Sequence, residues 1–468
     1  MTQRADGDDG AEPVLTSVGT SGWAGEPAVR TDRASREAVA TDWSGHRPAG
    51  LPDGVVRARS TEDVVAVLRA ASATRTPVVT RGAGTGLAGG ASATTGEVVL
   101  DVSGMDRVLD LRPDDQVAVV QPGVLVADLD AAAAVHGLMY APDPASAAIA
   151  SVGGSIATNA GGLRCARYGA TREAVLGLQV VLADGRVLRT GRATTKGVAG
   201  YDLTALLVGS EGTLGVVVEA TVRLRPRPRR QATTTAFFPD VASAARASTA
   251  ITRAGVEPAV LELVDAATLE AVDAARGTDL RAGGAAMLLV QTDGDGAEVA
   301  ARAVLAAVEP WATSSETTTD AERSAELMTA RREALPSLQR LGQAVIEDVV
   351  VPRSRLADAV TGVEEISRAT GVRIAVFAHA GDGNLHPVLV VPEGEDVLSG
   401  APWDAACRVF ALAQRLGGTL TGEHGVGVLK RAWLRAELGD VAMDVSAAVK
   451  AALDPLGILN PGKAVVDG

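Results

Sequence analysis

Two cysteines among 468 residues, Cys165 and Cys407, leave no material for a disulfide framework, and no CxxC occurs. A reducing, cytoplasmic setting is the expectation. Aromatic residues amount to 3%, so recognition of nucleic acid by base stacking has little raw material. Positive charge is short as well: 44 Lys and Arg stand against 57 Asp and Glu, a formal net charge of −13. That balance disfavours nucleic acid or an anionic membrane surface as main partner, though an anionic substrate needs only local positive charge. No run of ~18 apolar residues exists to span a membrane; peripheral association at the inner face, through a partner, stays compatible. The opening "MTQRADGDDGAEPVLTSVGTSG" lacks the apolar centre of a secretory signal. Residues 1–26 are polar and rich in Gly, Ser and Asp, and disorder is expected there. Histidine is scarce too, with five in all, yet three of these fall between positions 379 and 424.

What is present suits a soluble α+β protein. Apolar residues make up 47% and charged residues 22%, and the length exceeds one ordinary core, so two domains are expected. "STEDVVAVLRAASAT" predicts a helix capped by Ser60 or Thr61, with Val64, Val67 and Leu68 on one face. "PVVTRG" and "GEVVLDVS" predict strands. "DDQVAVVQPGVLVADLDAAAAVHG" predicts strand, turn and helix, and "LGLQVVLADGRVLRTG" a hairpin about Asp184-Gly185. "RPRPRR", 225–230, predicts an extended, solvated linker. Beyond it, strands and helices alternate, which predicts an open sheet covered by helices on one side.

In "RGAGTGLAGG", 81–90, Gly84, Gly86 and Gly89 match the G-x-G-x-x-G of dinucleotide-binding loops. A Rossmann loop must open a helix whose N-terminus holds the pyrophosphate. Here "ASATTGEVVLDV" follows, which predicts a turn and a strand, so an NAD-dependent Rossmann dehydrogenase is only a remote alternative. Two further small-residue stretches, "PDPASAAIASVGGSIATNAGG" at 142–162 and "GSEGTLG" at 209–215, allow close backbone approach to a ligand larger than a mononucleotide.

Near the C-terminus, "VRIAVFAHAGDGNLHPVLVV" predicts a hairpin with His379 and His386 flanking its turn. If the two pair across it, their imidazoles share a face. With a carboxylate they would suit Zn²⁺, Mn²⁺ or Fe²⁺; by themselves, two such histidines serve a structural role equally well. In "TGEHGVG", 421–427, Glu423 and His424 are adjacent, so an extended segment would point them opposite ways.

"PVVTRGAGTGLAGGA", "SVGGSIATNAGGLRCARYGATREAVLGL", "GYDLTALLVGSEGTLGVVVEATVRLRP", "HAGDGNLH", "GEHGVG" and "DPLGILNPGK" occur in this order. Together they resemble the vanillyl-alcohol oxidase/p-cresol methylhydroxylase flavoproteins, in the branch of FAD-linked D-lactate dehydrogenases and glycolate oxidase subunits. The resemblance runs roughly from residue 42 to 463. It implies a two-subdomain FAD-binding domain over 27–228 and an antiparallel-sheet cap over 229–468. Arg81, Gly82, Ala83, Gly84, Thr85 and Gly86 would cradle the pyrophosphate. Pro142, Ser146, Gly153, Ser155, Thr158, Asn159, Gly162, Glu211, Gly215, Val217 and Asn460 would line the rest of FAD. Many relatives tether FAD through a histidine of the first loop; Gly84 and Thr85 stand there, which implies non-covalent FAD.

By the same resemblance, His379, His386 and Glu423 would hold a divalent metal (Zn, Mn or Fe) and His424 would be the general base. Asn384 would bind substrate, as would Arg332, for which solvated helix charge is an equal reading. The implied reaction is oxidation of a D-2-hydroxy acid, D-lactate or glycolate, to the 2-oxo acid, with hydride transfer to flavin N5. Relatives selective for a longer dicarboxylate carry lysine near Glu347, which favours a short monocarboxylate here over D-2-hydroxyglutarate. The same resemblance is compatible with oxidation of an aldonolactone or an aryl alcohol, while retention of His379, His386, Glu423 and His424 argues against a non-catalytic subunit. The electron acceptor stays open among quinone, cytochrome, electron-transfer flavoprotein and oxygen, and a homodimer is compatible with the sequence. Cys165, His46 and His136 read as structural.

Overall fold

Ser60 begins the first long helix, Thr61–Thr74. Its hydroxyl accepts from Asp63 N while the Asp63 carboxylate accepts from Ser60 N, a reciprocal cap. The helix buries Val64, Val67, Leu68 and Ala71 on a four-stranded sheet. In this computed structural model, which describes residues 27–194, 196–395 and 398–464, that sheet runs Val29–Arg30, Gly54–Arg57, Val98–Asp101, Val78–Arg81. Its inner pairings are parallel. Both faces of Val98–Asp101 are covered, which is why it reads as consecutive apolar residues. The expectation of disorder over 1–26 lies outside the described residues.

A second sheet of five antiparallel strands follows, in the order Val108–Arg112, Val117–Val120, Val216–Arg223, Val175–Val181, Val187–Gly191. Val216, Val218, Ala220 and Val222 alternate inward along its central strand. The expected hairpin turns at Gly185, whose φ of +79° glycine adopts without strain.

The "RPRPRR" stretch is not a free linker. Arg225–Pro226 pairs with Leu138–Met139, and Arg227 reaches Asp130 at 2.7 Å. Proline is tolerated because the two-residue strand lies at a sheet edge.

The second half is built on an eight-stranded sheet. Its main path is Ser314–Thr318, Gln231–Phe238, Ala286–Asp293, Val260–Asp265, Arg373–His379, Asn384–Val391, Gln343–Ile346, with Val349–Val350 also pairing to Asn384–Val391. Every pairing is antiparallel. Helices Val241–Arg253, Ala297–Val308, Leu356–Thr370 and Gly400–Arg415 cover one face. One-sided cover is corrected by the structure: Ala266–Arg276, Ala321–Arg332 and Ala334–Gln339 pack on the other face. The reason lies in Ala286–Asp293, which is buried at every position and has no face to offer water.

The chain's end returns to the first half. From helix Asp440–Leu453, buried Lys450 donates to Thr213 O and Leu459 O and pairs with Asp454. Leu459 bridges to Val78 in parallel. The stretch 440–464 thus packs back against the first half. No described helix is long and apolar enough to cross a membrane.

Candidate functional site

A cavity of about 640 Å³ opens between the two halves. From the first half it is lined by Gly82, Ala83, Gly84, Thr85, Gly86, Ser146, Ser155, Thr158 and Glu211. The first loop is held from behind. Ser151 Oγ accepts from Ala83 N and Gly154 N, both at 3.3 Å, and the Asp42 carboxylate accepts from Ala91 N at 3.2 Å. No helix follows Gly90 before the strand at Val98, so the loop lacks the Rossmann continuation.

Other residues expected at FAD do not line this cavity. Arg81 lies beneath the loop, donating to Thr41 O at 2.9 Å and to the carbonyls of Val39 and Ala91. Gly84 has a φ of +73°, and a Cβ there would collide with that guanidinium. Gly153 packs on Pro122, Gly162 on the Asp143 carbonyl and Gly215 on Val180, each with no room for a side chain. Asn159 is the left-handed cap of helix Val152–Thr158. Val217 packs into the second sheet's core and Pro142 is buried. Asn460 ties Gly90 O to Glu211 O at 3.0 and 2.7 Å. These residues shape the wall from behind.

Glu211 does both. Buried at a φ of +51°, its two carboxylate oxygens accept from Val426 N and Gly427 N at 2.8 Å. It clasps the "GEHGVG" turn of the second half against the first.

That turn and the hairpin Arg373–His379/Asn384–Val391 bring three histidines and Glu423 together. His379 pairs directly with Asn384, and His386 with Phe377. The two imidazoles are therefore diagonal neighbours on one face, not a direct pair, with ring centroids 5.0 Å apart. Glu423 Oε1 lies 3.4 Å from His379 Nε2 and 3.2 Å from His386 Nε2. The His424 ring stacks on His386 at 5.2 Å.

The expectation that Glu423 and His424 diverge is corrected. The segment is bent rather than extended, and its amides converge on one oxygen. Asp348 Oδ2 accepts from Gly422 N, Glu423 N and His424 N and from Thr421 Oγ1, at 2.8 to 3.0 Å. Successive amides converge on an anion only where the backbone turns, so the alternation of an extended strand does not hold here.

Behind the hairpin, Glu262 Oε1 receives His379 Nδ1 at 2.7 Å, which leaves Nε2 facing Glu423. Arg331 pairs with Glu262 Oε2 at 2.6 Å and stacks on Phe377. Burial opposes the charge on Glu262, yet His379 and Arg331 hold its carboxyl below the ordinary range. Against burial, Glu262 and Glu423 hold the His379 imidazole well above its ordinary value. His379, His386 and Glu423 each bring one ligand atom within 4.8 Å of the others, and two imidazoles with a carboxylate are a donor set that fits a divalent cation.

Arg332, next in the helix to Arg331, faces the cavity instead, half-exposed and 3.7 Å from Asp143. Asn384 is buried against Gly422; its Oδ1 has no partner among the described residues, and it does not line the cavity. Burial pushes the Cys165 thiol far up, so it is no thiolate.

Arg331, Glu262 and Asp348 are contributors that reading along the chain missed. Their signal is a charge inside an apolar strand or a helix face: "AVLELVD", "VIEDVVV" and "LMTARR".

Glu347 lines the cavity, and burial pushes its carboxyl up to about 7. A raised carboxyl favours the protonated folded state. Its stabilisation is complete below about 4.5 and is lost as pH rises through about 7. Glu347→Gln should remove this dependence, worth on the order of 3 kcal/mol. Melting curves from pH 5 to 8 should show the variant gaining on the wild type; parallel curves would contradict it.

Residues 52–191 match the family model described as FAD binding domain, and residues 227–464 match FAD linked oxidases, C-terminal domain. The glycolate oxidase subunit GlcD of Bacillus subtilis is 41% identical over 418 residues, 88% of this chain and 89% of that protein. A D-lactate dehydrogenase of Archaeoglobus fulgidus is 37% identical over 417 residues, covering 88% and 91%. In fold, the chain is similar to 4-ethylphenol oxidase from Gulosibacter chungangensis, with a TM-score of 0.78, 20% identity and 98% of both chains covered. Matched in both halves and along most of its length, the chain belongs to the FAD-linked oxidases and is an FAD-dependent oxidoreductase.

Proposed function

We propose that the protein oxidises the CH–OH group of a D-2-hydroxy acid with an uncharged side chain, D-lactate and glycolate being the smallest members, to the 2-oxo acid. One observation carries the reading: His379, His386 and His424 gather about Glu423, and Glu423 and His424 line the same cavity as the glycine loop. The names of the relatives supply the substrate class.

FAD would lie along Gly82–Gly86, Ser146, Ser155, Thr158 and Glu211, and when bound it takes up hydride from the substrate carbon. His424 is the one histidine lining the cavity among the described residues, and its assignment as base leaves FAD non-covalent. His379, His386 and Glu423 would hold a divalent cation, which when bound acidifies the substrate hydroxyl. His424 accepts the hydroxyl proton on Nε2, the nitrogen 3.9 Å from Glu423 Oε1. Arg332, on the cavity wall, pairs with the substrate carboxylate, and Asn384 supports the site from behind the turn. Glu347 on the wall offers no counter-charge to a second carboxylate, which disfavours 2-hydroxyglutarate. In this reading, 27–228 is the FAD-binding domain and 229–468 the cap, with 440–464 packed back onto the former.

The purified protein should be yellow, and under argon D-lactate or glycolate should bleach its flavin band while L-lactate does not. Stripping with 1,10-phenanthroline should abolish bleaching, and Zn²⁺ or Mn²⁺ should restore it. Full bleaching after complete metal removal would sink the metal part; no bleaching by any 2-hydroxy acid would sink the substrate class.

A further inference from the structure

We propose that Asp348 is a positioning residue that assembles the Glu423–His424 turn and sets the ring orientation of His386 and His424. The inference rests on the functional reading above, because it assigns Asp348 its effect through those side chains.

Three observations carry it. First, a single oxygen, Asp348 Oδ2, receives three consecutive backbone amides and the Thr421 hydroxyl. Hydrogen bonds to a charged acceptor are stronger than those between neutral groups, so this carboxylate dictates the backbone path that puts Glu423 beside His379 and His386. Second, Asp348 is itself immobilised where two segments meet. The adjoining Val349–Val350 pairs with Leu385 and Asn384 at the start of the hairpin's second strand, and Val350 also bridges to Thr419 before the turn. Lys430 Nζ donates to Asp348 O and to Leu420 O. Third, Asp348 Oδ1, His386 Nδ1 and His424 Nδ1 are buried without a partner among the described residues. Asp348, His386 and His424 also bring one polar atom each within 4.8 Å of one another.

A carboxylate so placed offers both imidazoles a common acceptor for Nδ1–H through one water. Each ring then keeps the Nε2 lone pair on the Glu423 side, His386 to ligate and His424 to accept a proton. A second cation among Asp348, His386 and His424 is disfavoured, because the Lys430 ammonium already stands 3.7 Å from Oδ2.

Asp348→Asn keeps the size and removes the charge. It should retain FAD and substrate binding, with the spectrally titrated dissociation constant within about threefold. Flavin reduction at saturating substrate should slow by ~10–100-fold. A role confined to stability would lower flavin content or melting temperature and leave that rate constant alone. Thr421→Val removes one bond to the same oxygen and keeps the charge, so it reports even where Asp348→Asn does not fold; it should slow reduction about tenfold. The double variant should be no slower than Asp348→Asn, since both act through one oxygen.

Amide exchange gives a readout free of chemistry: Gly422, Glu423 and His424 should exchange at least about tenfold faster in Asp348→Asn, with distant amides unchanged. Reduction within twofold of wild type in both single variants, or unchanged protection of those amides, would overturn the inference. Absence of bleaching in the wild type itself counts against the substrate reading, and amide exchange then decides the fate of Asp348.

Discussion

His424→Ala should reduce substrate-driven flavin reduction by ~10²–10⁴-fold, the range for loss of a general base, while FAD stays bound. The side chain lines the cavity beside Glu423 and stacks on His386. Burial pushes its imidazole down to about 4, Asp348 opposing and His386 adding to the fall. The ring is accordingly neutral near pH 7, the protonation state that a base needs before it acts. Among the described residues its Nδ1 has no hydrogen-bond partner and its Nε2 stands 3.9 Å from Glu423 Oε1, beyond hydrogen-bond reach, so melting temperature should move little. The decisive comparison is stopped-flow bleaching by substrate against reduction by dithionite under argon. Slow bleaching with normal dithionite reduction supports the base. Equal loss of both, or bleaching within a few fold of wild type, removes His424 from that role.

Arg331→Met should be the most damaging single change for stability, at about 3–5 kcal/mol. Glu262 is fully buried, and Arg331 is one of its two charge partners. Removing the guanidinium leaves a carboxylate in an apolar strand with His379 as its remaining ion-pair partner among the described residues. Methionine still covers Phe377, so lost packing is a minor part. Denaturant melts of the holoprotein measure the effect, and adding Glu262→Gln should recover most of it by removing the stranded charge. A double variant as unstable as Arg331→Met would show that packing, not charge, dominates. Arg332→Met is the contrast one residue along. Half-exposed and 3.7 Å from Asp143, Arg332 contributes under about 1 kcal/mol to the fold. Its loss should raise the KM for the 2-hydroxy acid instead.

Those neighbouring arginines mark how far reading along the chain reaches. "STEDVVAVLRAASAT" carries its own cap, and the strand after Gly90 excludes a Rossmann loop, because both depend on residues within a few positions. The His379/His386 hairpin is legible for the same reason, its Gly-Asp-Gly-Asn turn fixing which residues share a face. The register was not legible: the turn's length seats Asn384, not His386, opposite His379.

Local pattern likewise failed for Glu423 and His424, since alternation assumes extended backbone and Asp348 bends it. Asp348 lies over seventy positions earlier in the chain. Glu262 and His379 stand 117 residues apart and meet only because their strands are neighbours in the sheet. Helix caps, glycine turns and the stock of chemical side chains are therefore properties of the sequence itself, set by short-range sterics and hydrogen bonding. Which buried carboxylate meets which imidazole, and which of two adjacent arginines faces the cavity, was decided by strand order and packing, because a buried charge is stable only where distant chain brings its partner.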